Sequence, residues 1–287
     1  MKETIGKYLS LVKFAHTIFA MPFALAGFFI AVNHTKEFNW YLLILVVLCM
    51  IFARNAAMGF NRFIDRDFDA ANKRTAVREI PAGKIKPQKA LLFVIINSVL
   101  FIITTYFLNE NKLAFYLSPL ALLVILGYSL CKRFTSLSHI VLGIGLALAP
   151  IGAYIAVCGE FALVPVLMSF MVLFWVSGFD IIYALQDIDF DKSQKLKSIP
   201  SWLGIKNSLI FSFILHLLSF ALVIIIGLSA DWGIFYWIGG GIFAALLIYQ
   251  HLIVKTNDLS RINLAFFTTN GIASLIYGLF CILDIMI

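Results

Sequence analysis

Residues 40–69 read WYLLILVVLCMIFARNAAMGFNRFIDRDFD, and residues 162–191 read ALVPVLMSFMVLFWVSGFDIIYALQDIDFD. Each is a long apolar run ending in an acidic cluster, Asp65 to Asp69 in the first and Asp187 to Asp191 in the second, and the clusters stand in register 122 residues apart. Carboxylates four residues apart share one face of a helix, so each cluster aims at least two anionic oxygen donors in one direction. Like charges that close need a positive partner. Mg²⁺ suits such ligands, because it takes a few carboxylates and fills its remaining sites with water and substrate phosphates. A diphosphate-handling site in a membrane is the first expectation.

Working outward, 62% of residues are hydrophobic, 13% are charged, and the mean hydropathy is +0.97. That composition belongs to an integral membrane protein. About 20 mainly apolar residues cross the hydrocarbon layer as a helix, and nine such segments are expected, near 16–33, 40–60, 90–107, 112–130, 138–157, 162–183, 208–229, 232–253 and 263–283. The long unbroken runs argue against the period-two alternation of a membrane β-barrel. No cleavable signal is expected, since residues 1–13 are polar and the first apolar run continues through a full span.

Of the 22 lysines and arginines, 19 fall in the amino-terminal segment and in the segments 61–89, 131–137, 184–207 and 254–262. With nine alternating helices these all lie on one side, which the positive-inside rule makes cytoplasmic. Both clusters then face the compartment that supplies Mg²⁺ and diphosphate esters. The net charge of +7 follows from this topology and from anionic lipid, so no nucleic-acid partner is read from it. The 122-residue offset puts the clusters at the ends of spans two and six, with the same orientation. The expected fold is therefore all-α, two four-helix units plus one helix around a shared cavity, in one domain covering residues 1–287.

Cations follow each cluster: Lys73, Arg74, Arg78 and Lys84 after the first, Lys192, Lys195 and Lys197 after the second. Alternating anion and cation is what a metal-diphosphate site requires, with arginine suited to forked contacts on phosphate oxygens. Arg54 and Asp180 each lie seven residues before a cluster residue, two turns or about 10 Å deeper in the membrane. Charges at that depth are costly and usually functional and paired. Arg54 and Asp180 are expected to approach each other, and Arg54, together with Asn55 or Tyr128, to orient the carboxylate or hydroxyl of an acceptor. The four cysteines and the histidines His34, His139, His216 and His251 show no ligand spacing.

At these residues the chain resembles the UbiA superfamily of intramembrane aromatic prenyltransferases. The family's first motif reads as Asn61, Asp65, Asp69, Lys73-Arg74-Thr75, Arg78 and Gly83, and its second as Asp180, Tyr183-Ala184, Asp187, Asp191 and Lys197-Ser198. Between them, Tyr128, Lys132-Arg133, Thr135 and Leu142-Gly143 look like the branch that prenylates 4-hydroxybenzoate. Two positions depart from the pattern: Glu79 stands where proline is usual, and Lys195 where glycine is common.

The resemblance implies Mg²⁺-dependent transfer of a polyprenyl group from its diphosphate to the ring of an aromatic acid, on the route to a membrane quinone. It implies metal ligation by Asn61, Asp65, Asp69, Asp187 and Asp191. Lys73, Arg74, Arg78, Lys132, Arg133 and Lys197 would hold the diphosphate, and Arg54, Asn55, Tyr128, Asp180 and Tyr183 the acceptor. Lys13 and His16 match a basic pair frequent in 4-hydroxybenzoate enzymes. A dihydroxynaphthoate acceptor on a menaquinone route is the nearest alternative. A transporter would place its ion site near the midplane on broken helices, and a phosphatidyltransferase would need an Asp-Gly-x-x-Ala-Arg signature that this sequence lacks.

Overall fold

The structure, a computed structural model, describes residues 2–13, 19–108 and 110–287, with backbone alone for 2–5. His16 and the first residues of the expected first span lie outside the described residues. The helices are α1 (Lys2–Leu11), α2 (Met21–Thr35), α3 (Trp40–Ile64), α4 (Arg66–Ala71), α5 (Pro87–Tyr106), α6 (Leu113–Cys131), α7 (Ser138–Cys158), α8 (Leu163–Ala184), α9 (Ile188–Ser193), α10 (Ile199–Ser229), α11 (Ile234–Ile253) and α12 (Asn270–Met286). Among the described residues, eight helical segments are long and apolar enough to cross a membrane. The shorter apolar helix α2 makes the ninth, in agreement with the hydropathy reading.

The packing repeats with the sequence offset. Helix α3 packs on α5 as α8 packs on α10, α5 on α6 as α10 on α11, and α12 closes the arrangement against both α11 and α2. Small residues permit this closeness, as is usual between membrane helices. A Cβ on Gly27 of α2 would collide with the Pro150 carbonyl of α7, and one on Gly143 of α7 would sit 2.7 Å from the Leu173 carbonyl of α8. The largest apolar cluster gathers Phe23, Trp175, Phe243 and Tyr277 from α2, α8, α11 and α12.

Both acidic clusters sit on helix bends, which the four-residue spacing did not disclose. Helix α3 ends at Ile64, and Asp65 (φ −91°, ψ 7°) joins it to the short α4. Helix α8 ends at Ala184, and a 3₁₀ turn over Leu185–Asp187 leads into α9. The paired carboxylates of each cluster therefore do not share the face of one continuous helix. Each first Asp is drawn toward a cation on another segment, while the Asp69 N–H still bonds the Asp65 carbonyl at 2.7 Å.

The span expected at 208–229 begins earlier, at Ile199, because Ser198 and Ser201 form a reciprocal capping box and Pro200 fits the first turn. Gly204, at φ +74°, interrupts that helix in a conformation glycine adopts without strain. Asp284 accepts hydrogen bonds from the Gly233 and Tyr236 backbone N–H groups, capping the start of α11. At the charged end, α1 buries Leu11 against Ile80, Ile85 and Ala90, and the Ser10 hydroxyl donates to Glu79.

Candidate functional site

The segment after α4 straps the two clusters together. Asn72 donates to Asp187 Oδ1 at 3.0 Å, and Arg74 grips both oxygens of the same carboxylate, through Nε at 3.0 Å and through Nη2. A few residues on, Arg78 turns back to Asp69 Oδ1 at 2.5 Å, and the Thr75 hydroxyl donates to the Asp69 carbonyl at 3.1 Å. From the loop after α6, Arg133 reaches Asp65 Oδ1 at 3.0 Å and the Ile64 carbonyl at 3.1 Å. Three of the four outer carboxylates of the two clusters thus carry an arginine. Burial pushes the Asp65 carboxyl above the ordinary carboxylate range, and the Arg133 and Lys132 charges offset part of that rise.

All of these side chains except that of Arg133 line one cavity of about 260 Å³. Its charged end holds Asn61, Asp65, Asp69, Asp187 and Asp191 with Arg74, Arg78 and Lys132. Deeper in the bundle it is walled by Arg54, Tyr128, His139, Asp180 and Tyr183, with the rings of Phe19, Phe179 and Phe266. Most of the buried side-chain polar atoms that lack a hydrogen-bond partner among the described residues belong to this wall: Arg54 Nε, Arg62 Nε, Asp69 Oδ2, Ser129 Oγ, Ser138 Oγ, His139 Nε2 and Asp191 Oδ2. Native interiors rarely leave such groups unmet, so their concentration at one cavity marks a place that binds something polar.

The donor set fits a hard divalent cation held with a diphosphate. Asp69 and Asp191, 5% and 2% exposed, each keep one carboxylate oxygen free, one from each repeat. Among the described residues no three His, Cys, Asp or Glu side chains converge into a complete metal cage. Mg²⁺ does not ask for one, since it binds through one or two carboxylates and completes its octahedron with water and phosphate.

Other expected residues are placed differently. Asn55, Lys73, Arg133 and Lys197 are not part of the cavity wall. The Asn55 amide donates to Asn97 Oδ1 at 3.0 Å, joining α3 to α5. Lys73 is exposed. Lys197 clamps the 131–137 loop, its N–H on the Lys132 carbonyl at 2.8 Å and its ammonium on the Phe134 carbonyl at 3.1 Å. Lys195 takes a positive φ of 55°. Arg54 and Asp180 both face the cavity, but their hydrogen bonds go elsewhere. Arg54 donates to the Lys13 carbonyl at 3.4 Å, and Asp180 pairs with His139 at 2.7 Å.

The sequence reading gave no site role to Arg62, Asn72, His139, Phe68, Phe190 or Phe266. Phe68 and Phe190 were within reach of it, because each precedes the last Asp of its cluster at the same 122-residue offset. Phe266 had no such signal. It rides a π-helical turn, Leu264–Thr269, and its ring stacks on Tyr183 with centroids 4.0 Å apart. Tyr183 in turn accepts a hydrogen bond from Arg74 at 3.1 Å. The turn is pinned by the fully buried Asn270, whose amide donates to the Ala265 and Phe266 carbonyls at 2.9 and 3.2 Å and whose Oδ1 accepts from Trp175 and Gln250, both at 3.0 Å.

Residues 20–272 match the UbiA prenyltransferase family. A 4-hydroxybenzoate octaprenyltransferase of Photobacterium profundum is 32% identical over 244 residues, 83% of this chain and 82% of that one. A protein of the same name from Tolumonas auensis is 31% identical over 84% of this chain and 83% of its own. Among solved structures, a UbiA homolog from Aeropyrum pernix K1 superposes with a TM-score of 0.84 at 31% identity, covering 95% of this chain and 98% of that one. A UbiA homolog from Archaeoglobus fulgidus, bound to GPP and Mg²⁺, shares the fold at a TM-score of 0.76 and 21% identity, covering 98% of this chain and all of that one. With its paired acidic clusters on a common cavity inside a bundle of membrane helices, the chain belongs to the UbiA prenyltransferase family and is an integral membrane prenyltransferase.

Proposed function

We propose that this enzyme transfers a polyprenyl group from its diphosphate to the ring of an aromatic acid, 4-hydroxybenzoate, in the biosynthesis of a membrane quinone, and that Mg²⁺ is its cofactor. The observation that carries this reading is the pair of buried, unpartnered carboxylate oxygens on Asp69 and Asp191, one from each repeat, beside the Arg74 guanidinium that already bridges the repeats through Asp187.

Asn61, Asp65, Asp69, Asp187 and Asp191 are the residues that would hold Mg²⁺. Bound there, the ion neutralises the diphosphate and lowers the barrier to its departure. Arg74, Arg78 and Lys132 offer the diphosphate oxygens charge-assisted hydrogen bonds. Arg74 and Arg78 are paired with carboxylates, so binding exchanges an internal ion pair for a ligand contact. Lys73, Arg133 and Lys197 serve from behind: Arg133 fixes Asp65, Lys197 fixes the Lys132 loop, and Lys73 adds positive field at the mouth. Arg54, Tyr128, Asp180 and Tyr183 face the acceptor, and Asn55 steadies the helix that carries Arg54. The Phe19, Phe179 and Phe266 rings give this part of the cavity an apolar wall, which shields an electron-poor allylic carbon from water. By the charge bias of the loops, the site opens at the cytoplasmic face of the inner membrane, where the prenyl tail can remain in lipid.

The test is product formation by the purified protein in lipid vesicles with Mg²⁺ and geranyl diphosphate, offering 4-hydroxybenzoate and a dihydroxynaphthoate in parallel. A prenylated 4-hydroxybenzoate that disappears with Asp69→Asn supports the reading. Product with the naphthoate alone moves the enzyme to the menaquinone route. Product with neither overturns the aromatic acceptor.

A further inference from the structure

None of the roles above uses His139. It stands one residue inside the start of α7, its side chain 1% exposed, in the wall of the same cavity. Its Nδ1 lies 2.7 Å from Asp180 Oδ2 on α8. A carboxylate only accepts, so Nδ1 carries the hydrogen and donates it. That tautomer leaves Nε2 with a lone pair, and Nε2 is buried without a partner. A carboxylate that fixes the tautomer of an imidazole whose other nitrogen is free is the arrangement of a general base and the residue that orients it. The pair is not needed to hold the two helices together, because Gly143 already brings α7 into close contact with the backbone of α8.

The geometry points to His139 Nε2 as the base that takes the phenolic proton of the aromatic acceptor, with Asp180 as its positioning residue. This inference rests on the prenyl-transfer reading. The O–H bond of the acceptor breaks and its proton moves to Nε2, making an imidazolium that Asp180 stabilises. Electron density from the phenolate oxygen passes through the ring to the ortho carbon, which forms the new C–C bond to the allylic carbon. The C–O bond to diphosphate breaks, and its electron pair leaves with the diphosphate. The ortho carbon then loses its hydrogen as a proton to solvent or diphosphate, and the imidazolium returns its proton to the oxygen. The phenol is restored and His139 is neutral again.

The experiment compares wild type, His139→Gln and Asp180→Asn in vesicles with Mg²⁺ and geranyl diphosphate. The acceptors are 4-hydroxybenzoate, a dihydroxynaphthoate, and a ring-fluorinated analogue of each whose hydroxyl is more acidic. Binding of geranyl diphosphate, measured separately, reports whether each variant is folded. The expected result is intact diphosphate binding with kcat reduced about 100-fold in His139→Gln, and a deficit several-fold smaller with the fluorinated acceptors, which need the base less. Asp180→Asn, which leaves the imidazole in place, should show the same dependence with a smaller loss. A variant deficit that is absent, or equal for fluorinated and unfluorinated acceptors, overturns the role of His139 and leaves the prenyl-transfer reading standing. If wild type prenylates none of the acceptors, both fall together.

Discussion

Replacing Asn270 with leucine, a residue of similar size, removes the anchor of the π-helical turn and with it the support of Phe266. The asparagine Oδ1 accepts from Trp175 Nε1 and Gln250 Nε2, and its amide satisfies two carbonyls of the turn. Leucine leaves two buried donors and at least one carbonyl unmet. Hydrogen bonds between membrane helices are worth about 0.6 kcal/mol on average and up to about 1.7, so three orphaned groups cost about 2–5 kcal/mol. That is a shift of about 30- to 5000-fold in the unfolding equilibrium. The assay is denaturant unfolding in mixed micelles followed by tryptophan fluorescence, since Trp175 reports its own loss of a partner. A second readout is kcat for prenyl transfer, which should fall because the ring on Tyr183 is no longer fixed. A variant within about 0.5 kcal/mol of wild type and equal to it in kcat would refute the argument that the last helix acts on the site through Asn270.

Three other outcomes follow from the same geometry. Gly27→Val should separate α2 from α7, because any side chain at Gly27 meets the Pro150 backbone; the expected sign is loss of monodisperse protein on size exclusion. Arg133→Ala should lower kcat about tenfold, since Arg133 spans Asp65, the Ile64 carbonyl and the Ser129 carbonyl. Arg133→Lys should not restore it, because an ammonium lacks the planar fork that reaches all three. Chelating Mg²⁺ should abolish product formation without changing the unfolding midpoint beyond a few degrees, because Asn72 and Arg74 already tie the segment after the first cluster to Asp187 of the second.

The membrane spans and the two clusters were legible because both rest on patterns that a chain displays directly, apolar runs of fixed length and a repeat in register. What was hidden is how the clusters bend. A spacing of four describes a helix and a helix with a hinge equally well, and the hinges at Asp65 and Asp187 arise from partners on other segments, Arg133 and Arg74. The partner of Asp180 was missed for the same reason. Arg54 was the charge nearest in expected depth, whereas His139, a weaker signal on α7, holds the hydrogen bond. Asn55 had the right neighbourhood in sequence but lies on the α5 side of α3, where Asn97 takes it. The π turn under Phe266 left no trace, because 264–269 is one stretch within an otherwise ordinary apolar helix, and the residue that stabilises it, Asn270, reads only as the last of a short polar run, Thr268-Thr269-Asn270.

The account turns on the two repeats holding one metal-diphosphate group between them. Mg²⁺-dependent binding of geranyl diphosphate, measured by calorimetry in wild type, Asp69→Asn, Asp191→Asn and the double variant, tests this most directly. Coupled ligands predict that each single change removes most of the binding and that the double variant loses little more. Losses that simply add, or one cluster binding at full strength without the other, would contradict a shared site.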